Sequence, residues 1–192
     1  MKKIIILFIC FTTMALSGCN SENKVHEDQR MDDTKKVEAL NEYNIYSGGI
    51  LDSGYNWYSK YVYSFVDSLK DSGYKVNKAE YDGQIKKLEQ KIYEIKNIDD
   101  NMVKKAYDYK LKDLVKDGSK DSQNDDYIHK KIESLKARIK DNKAKLISIL
   151  ESMKQGLELG EDGLYSKDDI NKLHDIQINI IKEYDSDLKG KY

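Results

Sequence analysis

The chain has 192 residues, 35% charged and 39% hydrophobic, with 15 Tyr, one Trp, two Cys and no Pro. That length suits one domain, or two small ones, with a real core. The high charge and the missing proline favour long surface-exposed helices over a turn-rich β sandwich or barrel. Lysine dominates the cations, with arginine only at Arg30 and Arg138, so bidentate phosphate recognition is poorly supplied.

Residues 1–18, MKKIIILFICFTTMALSG, hold the one sustained hydrophobic run of the chain. Lys2 and Lys3 form a basic start, and Ile4 to Leu16 make a mainly apolar stretch of 13 residues. Such a stretch is too short to span a bilayer and fits the core of a signal peptide. Small residues then lead to a cysteine, in Leu16-Ser17-Gly18-Cys19. This tetrapeptide resembles the lipobox of bacterial lipoproteins. The resemblance implies cleavage before Cys19, lipidation of Cys19, and a protein held on the outer face of the cytoplasmic membrane. It also implies two or three acyl chains, which anchor stably where a single chain binds only marginally.

Removing the leader changes the arithmetic. Lys2, Lys3 and Cys10 leave with it, so the net charge moves from −1 to −3. Lipid on Cys19 then leaves no free thiol and no disulfide, which excludes thiol chemistry and cysteine-held metal. A net negative domain disfavours nucleic acid as a partner. Richness in Lys, Ile, Asn and Tyr points to an AT-rich genome and a Gram-positive host.

Residues 19–36 read as the lipidated cysteine and a flexible, disordered tether, polar apart from Val25 and Met31. Fully extended, it reaches at most about 60 Å. Residues 37–192 form the folded domain. Val37, Leu40, Asn44, Gly48, Leu51, Tyr55, Tyr58, Val62, Phe65 and Leu69 recur at steps of three and four, predicting one long helix to about residue 71. Gly48-Gly49 and Gly54 invite a kink or break near residue 48.

A second helix opens near Asn77 and carries Tyr81, Ile85, Leu88, Ile92 and Ile95. Asp99 is placed to cap a restart, continued by Val103, Tyr107, Leu111 and Leu114. Residues 117–126, DGSKDSQNDD, are a loop by composition. The next helix has the cleanest stripe, from Ile128 through Ile132, Leu135, Ile139, Asn142, Leu146 and Ile149 to Met153, and should end near Gly156. Ser166 and Asp169 have capping-box form and open the last helix, which buries Ile170, Leu173, Gln177, Ile180, Ile181, Tyr184 and Leu188. The expected fold is therefore all-α: an elongated up-and-down bundle of three to five amphipathic helices behind the tether. A long open coiled coil is the alternative, and the loops argue against it.

The densest feature is aromatic. Tyr43, Tyr46, Ile50, Trp57 and Tyr61 form a second stripe about 100° from the first on the same helix. A helix with two apolar faces is central in its bundle, packs on a partner, or lines a ligand groove; Tyr and Trp suit the last two. This stripe is the candidate partner or ligand surface.

Other chemistry is thin. Residues 158–169 have a faint EF-hand outline, with Glu158 first, Asp162 fifth, Gly163 sixth, Ser166 ninth and Asp169 twelfth. Gly160 stands where an oxygen ligand belongs, and Asp169 replaces the bidentate Glu; a capped helix–helix loop needs the same residues. His26, His129 and His174 form no ligand pair, and no P-loop, dinucleotide or nucleophile-elbow motif occurs. No catalytic residue, metal or cofactor is expected. The expected function is a non-enzymatic binding or interaction module of the cell envelope, with immunity or exclusion as a special case. Its expected partners are the membrane, through the lipid, and a protein or cell-wall component. A ligand- or cation-binding surface receptor is the alternative.

Overall fold

A computed structural model describes residues 22–52, 55–116 and 122–190 of the chain. The leader, the Leu16–Cys19 tetrapeptide and the loop residues 117–121 lie outside the described residues. Six helices make the fold all-α, and the described residues hold no strand, only one isolated bridge between Lys75 and Leu164.

Helix α1 spans Glu22–Asp52. Helix α2 is built from three consecutive pieces: an α turn Tyr55–Tyr58, a π turn Ser59–Tyr63 and an α turn Ser64–Ser68. A 3-10 turn, Lys70–Ser72, follows. Helix α3 is Lys78–Lys96, α4 is Asp100–Lys116, α5 is Ser122–Glu158, and α6 is Lys167–Glu183, continued by a π turn at Tyr184–Leu188.

Contacts divide the chain into residues 1–34 and residues 35–192. In the first unit, the described residues from Glu22 are helical, and Thr34 Oγ1 donates back to the Arg30 carbonyl. Residues 30–35 are all exposed, as their missing apolar stripe requires. Extending a helix costs far less than nucleating one, and Glu, Lys, Gln and Arg are good helix formers.

The second unit is the bundle, and α5 is its spine. At 37 residues it runs about 55 Å. Helices α3 and α4 lie end to end along it, antiparallel: Lys154 pairs with Glu89 at 2.9 Å, Lys143 with Asp100 at 3.2 Å, and Lys136 with Asp108. One long helix is broken in two here because Asp99 caps a new start, accepting from the amide of Asn101 at 2.8 Å. Helices α1 and α2 run along α5 in its own direction, and α6 returns along its C-terminal half, where Lys145 reaches Asp187 at 3.2 Å. The expected up-and-down bundle is thus built, with one leg split by a cap.

Gly48-Gly49 does not break α1, which continues to Asp52. Gly49 is instead where two neighbours approach. A Cβ there would lie 2.7 Å from Ile95 Cδ1 and 2.9 Å from Leu146 Cδ2. The core comprises Tyr46, Ile50, Tyr58, Val62 and Leu69 from the first leg, Leu88, Ile95 and Val103 from the second, and Ile139, Leu146, Ile149, Met153 and Leu157 from the spine. The expected stripes of α3, α5 and α6 match this core. In α1 the phase is different: Val37, Asn44 and Leu51, expected inside, are exposed. Leu114, in the last turn of α4, is exposed as well. Helix α5 begins at Ser122, inside the stretch expected to be loop.

Candidate functional site

The aromatic stripe lies inside the bundle, which corrects its reading as a partner or ligand surface. Tyr46 and Ile50 have no exposure, and Trp57 and Tyr61 are buried. Tyr43 is half-buried, its ring edge-on to Tyr107 at 5.2 Å, with Lys110 Nζ 3.9 Å from its centroid. The reason is geometric. The face holding Tyr43, Tyr46 and Ile50 is the one turned to α3, α4 and α5. The π turn at Ser59–Tyr63 inserts one extra residue, which shifts the following side chains by about 100°. Tyr58 is already buried before that turn, beside Trp57; Tyr61 and Val62 are buried within it, and Phe65 and Leu69 beyond it, so both stripes contribute to the core.

The phenols find partners accordingly. Asn142 Nδ2 donates to the Tyr46 hydroxyl at 3.1 Å, both side chains buried. Burial pushes the Tyr46 phenol up to about 12, against the pull of the Asn142 hydrogen bond. The Tyr58 hydroxyl donates to the Leu173 carbonyl, tying α2 to α6, and its burial raises that phenol too. Among the described residues the buried hydroxyls of Tyr107 and Ser59 have no hydrogen-bond partner.

The 158–169 loop is organised by an aromatic ring. Tyr165 is buried and covers Gly160, where a Cβ would lie 2.4 Å from the ring, and its hydroxyl donates to the Leu157 carbonyl at 2.8 Å. The loop is stitched to residues 74–76: the Val76 amide donates to Gly163 O at 2.9 Å, and the Tyr165 amide to Tyr74 O at 3.1 Å. The carboxylates of the EF-hand outline point to other tasks. Asp169 accepts from the Ser166 hydroxyl at 2.6 Å and its amide at 3.0 Å, closing the expected capping box. Those bonds hold its carboxyl below the usual carboxylate range. Asp162 accepts from the Leu164 amide, and Glu158 faces Lys154 at 3.5 Å. Among the described residues no group of three or more His, Cys, Asp or Glu could hold a metal ion.

Two of the surface grooves bear on function. The first, about 170 Å³, lies between α2 and α6 and is lined by Tyr63, Val66, Lys70, Tyr74, Leu173 and His174, among others. Tyr63 is half-exposed, and its ring meets His174 edge-on at 5.8 Å, a contact across two helices that sequence spacing does not show. Lys70 and Asp67 pair at its rim at 3.2 Å. A groove of this size takes one large side chain, below the 300–1,000 Å³ or so usual for small-molecule pockets. The second, about 470 Å³, is a broad depression on the N-terminal half of α5 lined by Tyr127, Lys130, Lys131, Ser134, Leu135, Arg138 and Gly190. His129 is exposed nearby, and the His26 side chain lies outside the described residues.

No helix among the described residues is long and apolar enough to cross a membrane. Comparison with protein-family models, curated proteins and solved structures returned no match. The functional reading therefore rests on the leader and on the grooves.

Proposed function

We propose that the chain is a lipid-anchored lipoprotein of the extracytoplasmic face, held by Cys19, whose helical bundle is a non-enzymatic interaction module. The leader with its lipobox-like Leu16-Ser17-Gly18-Cys19 supports the location. The interaction half rests on one observation: Tyr63 stands half-exposed against His174 over a groove sized for a single side chain, while its aromatic neighbours Tyr58, Tyr61 and Phe65 are buried. An aromatic rim over an apolar floor is the local chemistry of an interface anchor point. A protein partner that inserts one apolar or aromatic side chain fits it, and an immunity or exclusion role is the special case in which that partner is an incoming toxin or mobile-element protein.

Crosslinking pull-down from intact cells tests this. The wild-type chain should capture a partner that Tyr63→Ala/His174→Ala loses, with helicity unchanged in circular dichroism. A partner list identical for both chains would overturn the groove as the contact surface.

A further inference from the structure

We propose that the basic depression on α5 is a docking surface for the anionic phospholipid headgroups of the bilayer carrying the anchor. The inference rests on the lipoprotein reading above. Its first support is charge. Between Tyr127 and Lys140 the sequence places Lys130, Lys131, Lys136, Arg138 and Lys140 against a single carboxylate, Glu133, in a chain whose net charge is −1. Lys130 is held by Asp126 at 2.6 Å, and Lys136 by Asp108 and Glu133. Lys131 and Arg138 make no ion pair among the described residues. With Tyr127 and Ser134 they recur at steps of three and four, so all four share one face of α5 and line one groove.

The second support is position. The pairs Lys143–Asp100 and Lys136–Asp108 fix the antiparallel register of α4 on α5, which brings Asp113 level with Lys131. Asp113 in turn holds Lys36 at 3.0 Å. The chain therefore enters the bundle level with the groove along the α5 axis, and Cys19 lies only 16 residues before Lys35. Even fully extended, that segment spans no more than about 55 Å. The third support is the apolar complement. Tyr127, in the groove itself, is 66% exposed. A phenol sharing a groove with Lys131 and Arg138 matches the headgroup region of a bilayer, where aromatic rings settle and cations meet phosphate. Each cation near an anionic surface changes partitioning by about fivefold.

The test uses the lipidated full chain carrying Ser134→Cys. Cys10 leaves with the leader and Cys19 is capped, so an environment-sensitive dye labels one thiol. Reconstituted into vesicles containing phosphatidylglycerol, the dye should shift to the blue; in pure phosphatidylcholine it should not. High salt should abolish the shift, as should Lys131→Glu/Arg138→Glu, both exposed positions whose reversal leaves helicity intact. Dye on Asp162→Cys, at the other end of the bundle, should not respond in either vesicle. Equal emission in both vesicle types, with the protein still floating with them, overturns this proposal alone. A shift that survives the charge reversal also overturns it, as does one that appears only on adding soluble polyphosphate. Protein that fails to float with vesicles of either kind overturns the lipoprotein reading, and this proposal with it.

Discussion

The two ends of the bundle are built differently. At the turn end, residues 74–76 are hydrogen-bonded to residues 163–165, Tyr165 seals Gly160, and Asn77 and Ser166 cap the helices that leave. Polar groups of the turn are satisfied locally and the Tyr165 ring is buried. At the other end, where Lys35 enters the bundle, Val37, Leu114 and Tyr127 are exposed, and Lys131 and Arg138 make no ion pair among the described residues. One end is closed by its own side chains, and the other leaves apolar area and positive charge for something outside the chain. The contrast separates an end held together by its own caps and buried ring, beside which the Tyr63–His174 groove opens, from an end with exposed apolar area and positive charge, and it predicts opposite responses to substitution.

The largest expected effect is at the closed end. Tyr165→Ala removes a buried ring and its hydrogen bond to Leu157 and should cost about 3–5 kcal/mol in urea unfolding. A cost below about 1 kcal/mol would show that the ring does not hold this end together. Ser166→Ala should cost about 1 kcal/mol by leaving the Asp169 amide uncapped. Its pH dependence follows from the lowered Asp169 carboxyl. A carboxyl held low in the folded state adds stability above its unfolded value of about 4, and that stability is lost as pH falls through the folded value. The stability gap between wild type and Asp169→Asn should therefore be full at neutral pH and shrink below about pH 4; a constant gap would contradict the capping role. The smallest effect is at the open end. Lys131→Glu/Arg138→Glu should change stability by no more than about 0.5 kcal/mol while abolishing the vesicle response. A cost comparable to Tyr165→Ala would erase the distinction between the ends.

Much of the fold was legible because it is encoded locally. Asn77, Asp99 and Ser166 announce helix starts through side-chain oxygens that need only the next two or three amides. The stripe of α5 is readable because that helix is regular for 37 residues. The phase of α1 was not legible. Two apolar stripes overlap on one segment and both are buried between Trp57 and Val62, and the π turn there leaves no mark in residue type. Tyrosine's taste for surfaces then pointed the wrong way, since Tyr46 is reconciled to the interior by Asn142, a residue 96 positions away. Grooves are harder still: Tyr63 and His174 meet only because α2 and α6 lie side by side. The cations at 130–140 are visible in the sequence, and spacing gives the Asp126–Lys130 and Glu133–Lys136 pairs, but the Lys136–Asp108 pair appears only once α4 lies along α5.

Everything proposed for the open end depends on the anchor, so metabolic labelling with a palmitate analogue is the most direct measurement. The full chain should incorporate label and sediment with membranes, and Cys19→Ser should do neither. Label retained on Cys19→Ser, or absent from the wild-type chain in cells that label their other lipoproteins, would contradict the account.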